Sequence, residues 1–369
     1  MIMKPDSMTT TPVSGGPMDR RQFLQRATAG AMVLSLPDMP FLAKEMGMGV
    51  VVHSYGNRWN SKAGSSKYPG FTSAIDLLEH CHQIGSAGVQ VVVKDWTADF
   101  AKNVRDKREK LGMYLEGSIG LPKKADEVAG FEQDVMRAKE AGAQVLRTVC
   151  SGGRRYEILH SAAAFADMKK NAMTSLTLAE PVLRRHKVKL AVENHKDWRS
   201  PELVGMLKQL NSEWVGATLD FGNNMALVED SMEVVKNLAP YVMSTHVKDM
   251  GVEEYADGFL LSEVPLGKGV LDLPAMYALC RKHNPAVTFN LEMITRDPLE
   301  IPCLKPDYWS TFEGVPGGDL ARMLRLARQQ KSAGPLPRVS QLSPEARLAA
   351  EEQNILACLA YSPATSSLK

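Results

Sequence analysis

The sequence predicts an α/β fold: a single (β/α)8 TIM barrel, preceded by an N-terminal export signal and followed by a C-terminal helical tail. Three observations predict it. From Gly47 onward, short and almost continuously apolar runs alternate with helical stretches, as in a parallel sheet covered by helices. There are eight such runs, and eight strand–helix units favour a closed barrel over an open sheet. No GxGxxG or GxxxxGK[ST] follows a run, so a nucleotide-binding sheet has no support.

The first 45 residues stand apart from this rhythm. "MDRRQFLQRATAGAMVLSLP" places Arg20 and Arg21 before Phe23, Leu24 and a mildly apolar stretch. It resembles a twin-arginine export signal, which implies a periplasmic or extracytoplasmic location. The apolar stretch is too short to span a bilayer, so no transmembrane span is expected in the mature protein. Met1 and Met18 are both candidate starts, and no clean A-x-A cleavage site follows. The expected organisation is a signal and linker over 1–45, the barrel over 46–330, and a linker with a C-terminal helix over 331–369.

Within the barrel, strands are predicted at 48–55, 88–96, 112–120, 143–153, 188–195, 215–223, 241–249 and 286–294. Helical patterns fall between them, including 127–142 and 200–210. The second of these has Ser200 as the expected N-cap, Pro201 in the first turn and Glu202 beside it. The segment 253–269 is inserted after strand seven. The tail 343–362 opens with Ser343 and Pro344, and its apolar stripe is Ile355, Leu356, Leu359 and Ala360. That stripe is expected to pack on the barrel or on a second subunit, which leaves room for a homo-oligomer.

Composition narrows the function. The 369 residues carry 44 Lys and Arg against 42 Asp and Glu, a net charge of +2 without a basic run. Nucleic acid and anionic membrane are therefore not the expected partners. Five scattered cysteines, none in a CxxC pair, support neither a disulfide framework nor a zinc ribbon.

In a (β/α)8 barrel the active site lies at the C-terminal strand ends. Strand five ends in Glu193 ("VENH"), strand six in Asp220 ("LDFGN"), strand seven in His246 ("HVKD") and strand eight in Glu292 ("NLEM"). Three carboxylates pointing at one axis need a compensating cation. A divalent metal meets the need, and an oxygen-rich set with one imidazole suits Mn²⁺, Mg²⁺, Co²⁺ or Zn²⁺.

With "PLGKG" before strand eight, these motifs make residues 47 to 330 resemble the xylose isomerase-like barrel family, the sugar isomerases and epimerases. The resemblance implies that Glu193, Asp220, His246 and Glu292 bind a metal, most readily Mn²⁺. It also implies that Glu193 and Glu292 act as acid and base, through an enediolate, on a carbohydrate or keto-sugar. His195 and Lys248 lie two residues beyond Glu193 and His246, on the same strand face, and are candidate substrate contacts. For Lys248, pairing with a carboxylate is the equal alternative. His53, Glu116 and Arg147 end strands one, three and four and, with Asn223 after strand six, are further candidate substrate contacts. Trp59, Trp96 and Trp198 follow strand ends, where indole faces suit sugar C–H surfaces, although packing the loops is an equal reading. Arg154 and Arg155, in "SGGRRYE", are either an anion dock or solvated loop residues.

Two positions depart from the ketose 3-epimerase branch. Asn223 stands where that branch has a histidine, and Met250, Gly251 and Val252 replace an arginine after strand seven. A 3-keto-glycoside lyase on the same fold, in which enolisation expels a leaving group, is therefore the main alternative. A non-catalytic sugar-binding protein gives Glu193 and Glu292 no reason to face each other. An endonuclease-like phosphodiesterase needs more strand-end histidines than His53, His195 and His246.

Overall fold

Eight parallel strands close into a barrel, with each helix crossing back over the outside. The computed structural model describes residues 47–59, 65–329 and 335–361. The Arg20–Arg21 motif lies outside the described residues. The strands are β1 (Gly49–Val51), β2 (Gly88–Val92), β3 (Tyr114–Ser118), β4 (Val145–Thr148), β5 (Lys189–Glu193), β6 (Val215–Asp220) and β7 (Val242–Val247). They are followed by β8 (Asp249–Tyr255), β9 (Gly258–Val264), β10 (Thr288–Leu291) and β11 (Leu299–Ile301). The barrel order is β1-β10-β7-β6-β5-β4-β3-β2, so its eighth member is β10. The insertion predicted after strand seven is the antiparallel hairpin β8–β9, extended by β11 into a separate three-stranded sheet.

All eight predicted runs form barrel strands, but most strands stop earlier than the sequence suggests. Run one leaves the sheet after Val51 and turns into a short 3-10 helix, Val52–Tyr55. Runs two and four end at Val92 and Thr148. The residues beyond are the loops that carry site groups. Apolar periodicity does not separate them from the strand, because these loops are also buried.

Alternation along each strand sorts the two faces. Val50, Val89, Leu146, Leu190, Val192, Leu219 and Leu291 face outward and are fully buried under helices such as Ala74–Gln83. Each such burial contributes about 1.5–3 kcal/mol. The inward face is polar. Gln90, Glu116, Arg147, Thr218, Ser244, His246 and Asn290 are all buried there. Barrel interiors are usually filled with branched apolar side chains, so this polar column needs an account of its own.

The helix expected at 200–210 spans Ser200–Leu210. Ser200 is its first residue rather than its cap, and its Oγ donates to Glu229 Oε1 at 2.5 Å. The tail helix is Pro344–Ala360, with Ser343 Oγ accepting from Ala346 N. It packs on the barrel core through Ile355 and Cys358, with Leu359 against it. Leu356, expected in the buried stripe, is exposed.

The tail helix is also fastened to the site end of the barrel. Glu351 Oε1 accepts from Asn57 N at 2.7 Å, and Oε2 accepts from Arg58 N at 2.9 Å. Arg58 Nη1 donates to Glu352 at 2.9 Å, and Asn354 Nδ2 donates to Thr295 Oγ1 at 2.9 Å. The loops after β1 and β10 are therefore pinned by the same helix. Burial pushes Glu351 up to about 7, against the pull of the Asn57 and Arg58 hydrogen bonds. A carboxyl with a raised folded pKa favours the folded state at low pH, and this contribution is lost as pH rises through the folded value. Its share should thus fade between the ordinary carboxylate range and about pH 7. Thermal melts of wild type and Glu351→Gln across pH 4 to 8 check this. The difference between them should vary in that window, and a constant difference would count against it.

Candidate active site

Glu193 and Asp220 close β5 and β6, His246 is the penultimate residue of β7, and Glu292 follows β10 directly. The register puts Asp220 beside His246, and His246 beside Asn290. Strand alternation then brings Glu292 up on the same inner face. One ligand atom from each of the four residues lies within 4.8 Å of the others. Glu193, Asp220 and His246 are fully buried, and Glu292 is 4% exposed.

The column beneath them orients the imidazole. Glu116 Oε2 accepts from Gln90 Nε2 (2.9 Å), Ser244 Oγ (2.6 Å) and Asn290 Nδ2 (3.1 Å), and Thr288 Oγ1 donates to Oε1. Because Gln90 gives its amide nitrogen to this carboxylate, its Oε1 faces His246. The Oε1 lies 2.7 Å from Nε2, which must therefore carry the proton. His246 Nδ1 is left inside the carboxylate cluster with no hydrogen-bond partner. It sits 3.4 Å from Glu292 Oε1, 3.5 Å from Glu193 Oε2 and 3.9 Å from Asp220 Oδ2.

A buried nitrogen without a hydrogen bond, ringed by three carboxylates, fits a divalent cation. Asp220 Oδ2 likewise makes no hydrogen bond, and it lies 2.8 Å from the Lys248 ammonium. Glu193, Asp220, His246 and Glu292 can hold the metal, with Gln90 and Glu116 fixing the ring that presents Nδ1.

The cluster is also compensated by the chain itself. Arg147 Nε donates to Glu193 Oε2 at 2.6 Å, and Asn223 Nδ2 donates to Oε1 at 2.9 Å. Lys248 Nζ lies 2.6 Å from Glu292 Oε2 and 2.8 Å from Asp220 Oδ2. Burial would raise both glutamates, but Arg147 and His246 hold Glu193 well below the ordinary carboxylate range, and Lys248 and His246 do so for Glu292. Burial disfavours charge on His246, yet Glu292 and Glu193 outweigh it and raise the ring to about 9. That value favours a proton on Nδ1 as well, which a cation would have to displace.

The motifs now have physical readings. In "VENH", Asn194 lies sideways and staples two strands: its Oδ1 accepts from Asp220 N at 2.7 Å, and its Nδ2 donates to Asp220 O at 2.8 Å. In "LDFGN", Asp220 Oδ1 accepts from Gly222 N and Asn223 N, which turns the chain so that Asn223 reaches Glu193. In "HVKD", Asp249 points away from the site and takes the amides of Gly267, Gly269 and Leu271. A Cβ at Gly269 would lie 2.2 Å from Asp249 Oδ1, so "PLGKG" needs glycine there.

Not every expected contact sits at the cluster. Arg147, Asn223 and Lys248 do. His195 is close enough for Glu193 to favour its charge, but burial dominates and lowers it to about 3, so it is neutral. His53 lies on the 3-10 helix after β1, where burial lowers it and Glu292 opposes the shift. Glu116 is below the cluster as a support, with its oxygens taken up by the barrel interior. Trp198 is fully buried against Phe165, so it is not on a rim. Trp59 and Trp96 line one cleft of about 320 Å³ with Phe100, and no residue of the carboxylate cluster borders it. Arg155 is buried and committed to Glu202 and Thr311, and Arg154 pairs with Glu157 at the surface, so neither is an anion dock.

Sequence reading missed Gln90, Asn194 and Lys196. A polar residue at an inward position of an apolar strand, as in "GVQVVV", was the available signal for Gln90. Lys196 had none beyond its place two residues before Trp198.

Residues 78–309 match the xylose isomerase-like TIM barrel family, and the chain belongs to it. Among curated proteins it is 22% identical over 244 residues to a 3-oxo-isoapionate decarboxylase of Pectobacterium atrosepticum, covering 64% of this chain and 82% of that one. The uncharacterised protein YihM of Escherichia coli matches at 22% over 205 residues, which is 54% of this chain and 60% of YihM. Among solved structures, D-psicose 3-epimerase with D-fructose superposes with TM-score 0.53 at 14% identity, over 77% of this chain and 96% of that one. The 3-keto-D-glucoside 4-epimerase YcjR of E. coli gives 0.51 at 13% identity, over 76% and 99%. No helix among the described residues is long and apolar enough to cross a membrane.

If Gln90 sets the ring, Gln90→Leu should weaken metal binding by roughly 10–100-fold while leaving all four holders in place. Titration of chelator-stripped protein with Mn²⁺ checks this. Unchanged affinity would remove Gln90 from the site.

Proposed function

We propose that this protein is a divalent-metal-dependent sugar isomerase or epimerase that abstracts a proton next to a carbonyl and passes through an enediolate. The observation that carries the reading is the approach of Glu193 and Glu292, from strands β5 and β10, to within 3.5 and 3.4 Å of one imidazole nitrogen. Each carboxylate is held ionised by its own cation, Arg147 or Lys248. When bound, a divalent cation supplies Lewis-acid polarisation of a carbonyl and its adjacent hydroxyl. Glu292 then accepts the proton from the hydroxyl-bearing carbon. Glu193 takes a proton from the adjacent hydroxyl or from water and delivers it to the neighbouring carbon or the other face, and Glu292 passes its proton to the substrate oxygen or to solvent. Lys248 stands beside Glu292 and Asp220, where it stabilises negative charge growing on the substrate oxygen.

Similarity to a decarboxylase of a 3-oxo sugar acid and to the fold of a 3-keto-glucoside epimerase supports a keto-sugar substrate. A second reading, a 3-keto-glycoside lyase, draws on Asn223. The residue that replaces the ketose-epimerase histidine is held by Glu193 and Lys248. The same enolisation would then expel a leaving group.

The test is solvent exchange. Mn²⁺-loaded protein in deuterated buffer, followed by NMR over a panel of sugars and keto-sugars, should place deuterium beside the carbonyl of an active substrate. Glu292→Gln should cut that exchange by ~10²–10⁴-fold with metal content near wild type. Product free of deuterium would point instead to a hydride shift. Release of aglycone from keto-glycosides would favour the lyase.

We further propose that the folded protein is exported, because Arg20–Arg21 precedes an apolar stretch. Replacing both arginines with lysine should retain the protein inside the cell. An unchanged distribution on fractionation would overturn this.

A further inference from the structure

Five Lys and Arg side chains are buried among the described residues: Arg58, Arg147, Arg155, Lys196 and Lys248. Four of them have carboxylate partners. Arg58 pairs with Glu352, Arg147 with Glu193, Arg155 with Glu202, and Lys248 with Asp220 and Glu292. Lys196 is 3% exposed and forms no ion pair with any described residue. Its Nζ donates to one neutral acceptor, Asn223 Oδ1. A buried ammonium without a counter-charge is costly, and proteins ordinarily pair it.

The neighbouring acids form no ion pair with Lys196. Glu263, fully buried, is held on both oxygens by Arg296, at 2.5 and 3.2 Å. Asp197 is buried too, and its carboxyl is pushed well above the ordinary range, first by burial and then by Glu193. Lys196 itself is lowered to about 8, first by burial and then by Lys248 and Arg296, with the charges of Glu263 and Asp220 opposing the shift. The ammonium is therefore near the pH at which it would discharge, and an arriving anion would hold it charged.

Position supplies the direction. Asn223 Oδ1 accepts from both Lys196 and Lys248 (the latter at 3.3 Å), while its Nδ2 donates to Glu193. Lys196 is thus two hydrogen bonds from the proposed acid/base pair.

We propose that Lys196 docks a carboxylate carried by the substrate, so that the protein acts on a keto-sugar acid rather than on a neutral sugar. This rests on the enolisation reading above and adds the substrate class to it. A single ammonium matches a monoanion. A phosphate dianion would require further donors, and the nearby Arg296 fork is already closed on Glu263.

The experiment is calorimetric binding to the Mn²⁺-loaded full chain, with three probes: D-tagatose, its acid counterpart D-tagaturonate, and D-tagatose 6-phosphate. Wild type should bind the uronate roughly tenfold or more tighter than the neutral sugar. Lys196→Met should abolish that preference, read as the ratio of acid to neutral-sugar affinity within each variant, and Lys196→Arg should restore part of it. Thermal melts show whether each variant is folded. Equal binding of acid and neutral sugar by wild type overturns the proposal, as does a preference that survives in Lys196→Met or a preference for the phosphate. Deuterium exchange on the neutral sugar separates the two readings. If it proceeds while the acid preference is absent, enolisation stands and the carboxylate dock falls. If no sugar exchanges but the acid still binds through Lys196, the reverse holds.

Discussion

Three carboxylates buried at one end of a barrel are the constraint on which the rest of the site depends. Glu193, Asp220 and Glu292 cannot share that space as bare anions. The chain answers from two directions. Arg147 and Lys248 come in from the neighbouring strands and neutralise particular oxygens. His246 comes in with one nitrogen already committed to Gln90, so the other faces the acids. The polar column inside the barrel follows from this. Glu116 sits one layer down, collects four donors from three strands and thereby aims Gln90. An apolar interior would pack as well but would leave the ring free to choose its tautomer. The barrel has exchanged some core burial for a fixed imidazole.

The same constraint explains which parts of the molecule were legible in the sequence. Glu193, Asp220, His246 and Glu292 were readable because strand ends in this architecture point to one axis, and because acids in apolar strands are conspicuous. The eight strands were readable for the reason that parallel sheets bury both faces. The loops were harder. Trp198 looked like a rim residue and is fully buried, since position after a strand end does not say which way a side chain turns. Arg155 looked like an exposed loop cation and is packed on Phe165 and Phe312. Its partners Glu202 and Thr311 are 47 and 156 residues away, beyond any local pattern. Gln90 was hidden for the opposite reason: its role depends on a histidine 156 residues later.

Tail and site are linked by geometry rather than by sequence proximity. Glu351 and Asn354, on the C-terminal helix, hold the loops that follow β1 and β10. Those loops flank Glu292 and carry His53. A helix that looked like an accessory is therefore one wall of the support, which is why its acidic residues are turned inward.

Asn223 joins these themes. It stands where the ketose 3-epimerases place a histidine, and its environment shows what the amide does that an imidazole would not. One neutral imidazole nitrogen offers a single lone pair, whereas an amide oxygen offers two. Asn223 uses both, accepting from Lys196 and Lys248, and still has an N–H for Glu193. With histidine in its place, at most one lysine could be held while the other nitrogen faced Glu193. Lys248 would still meet Asp220 and Glu292, but Lys196 has Asn223 Oδ1 as its one acceptor among the described residues, so the loss would fall on Lys196. The amide thus joins both ammonium groups to Glu193 through one side chain. The departure from the epimerase pattern is less a missing residue than a different arrangement of charge around the same pair of glutamates.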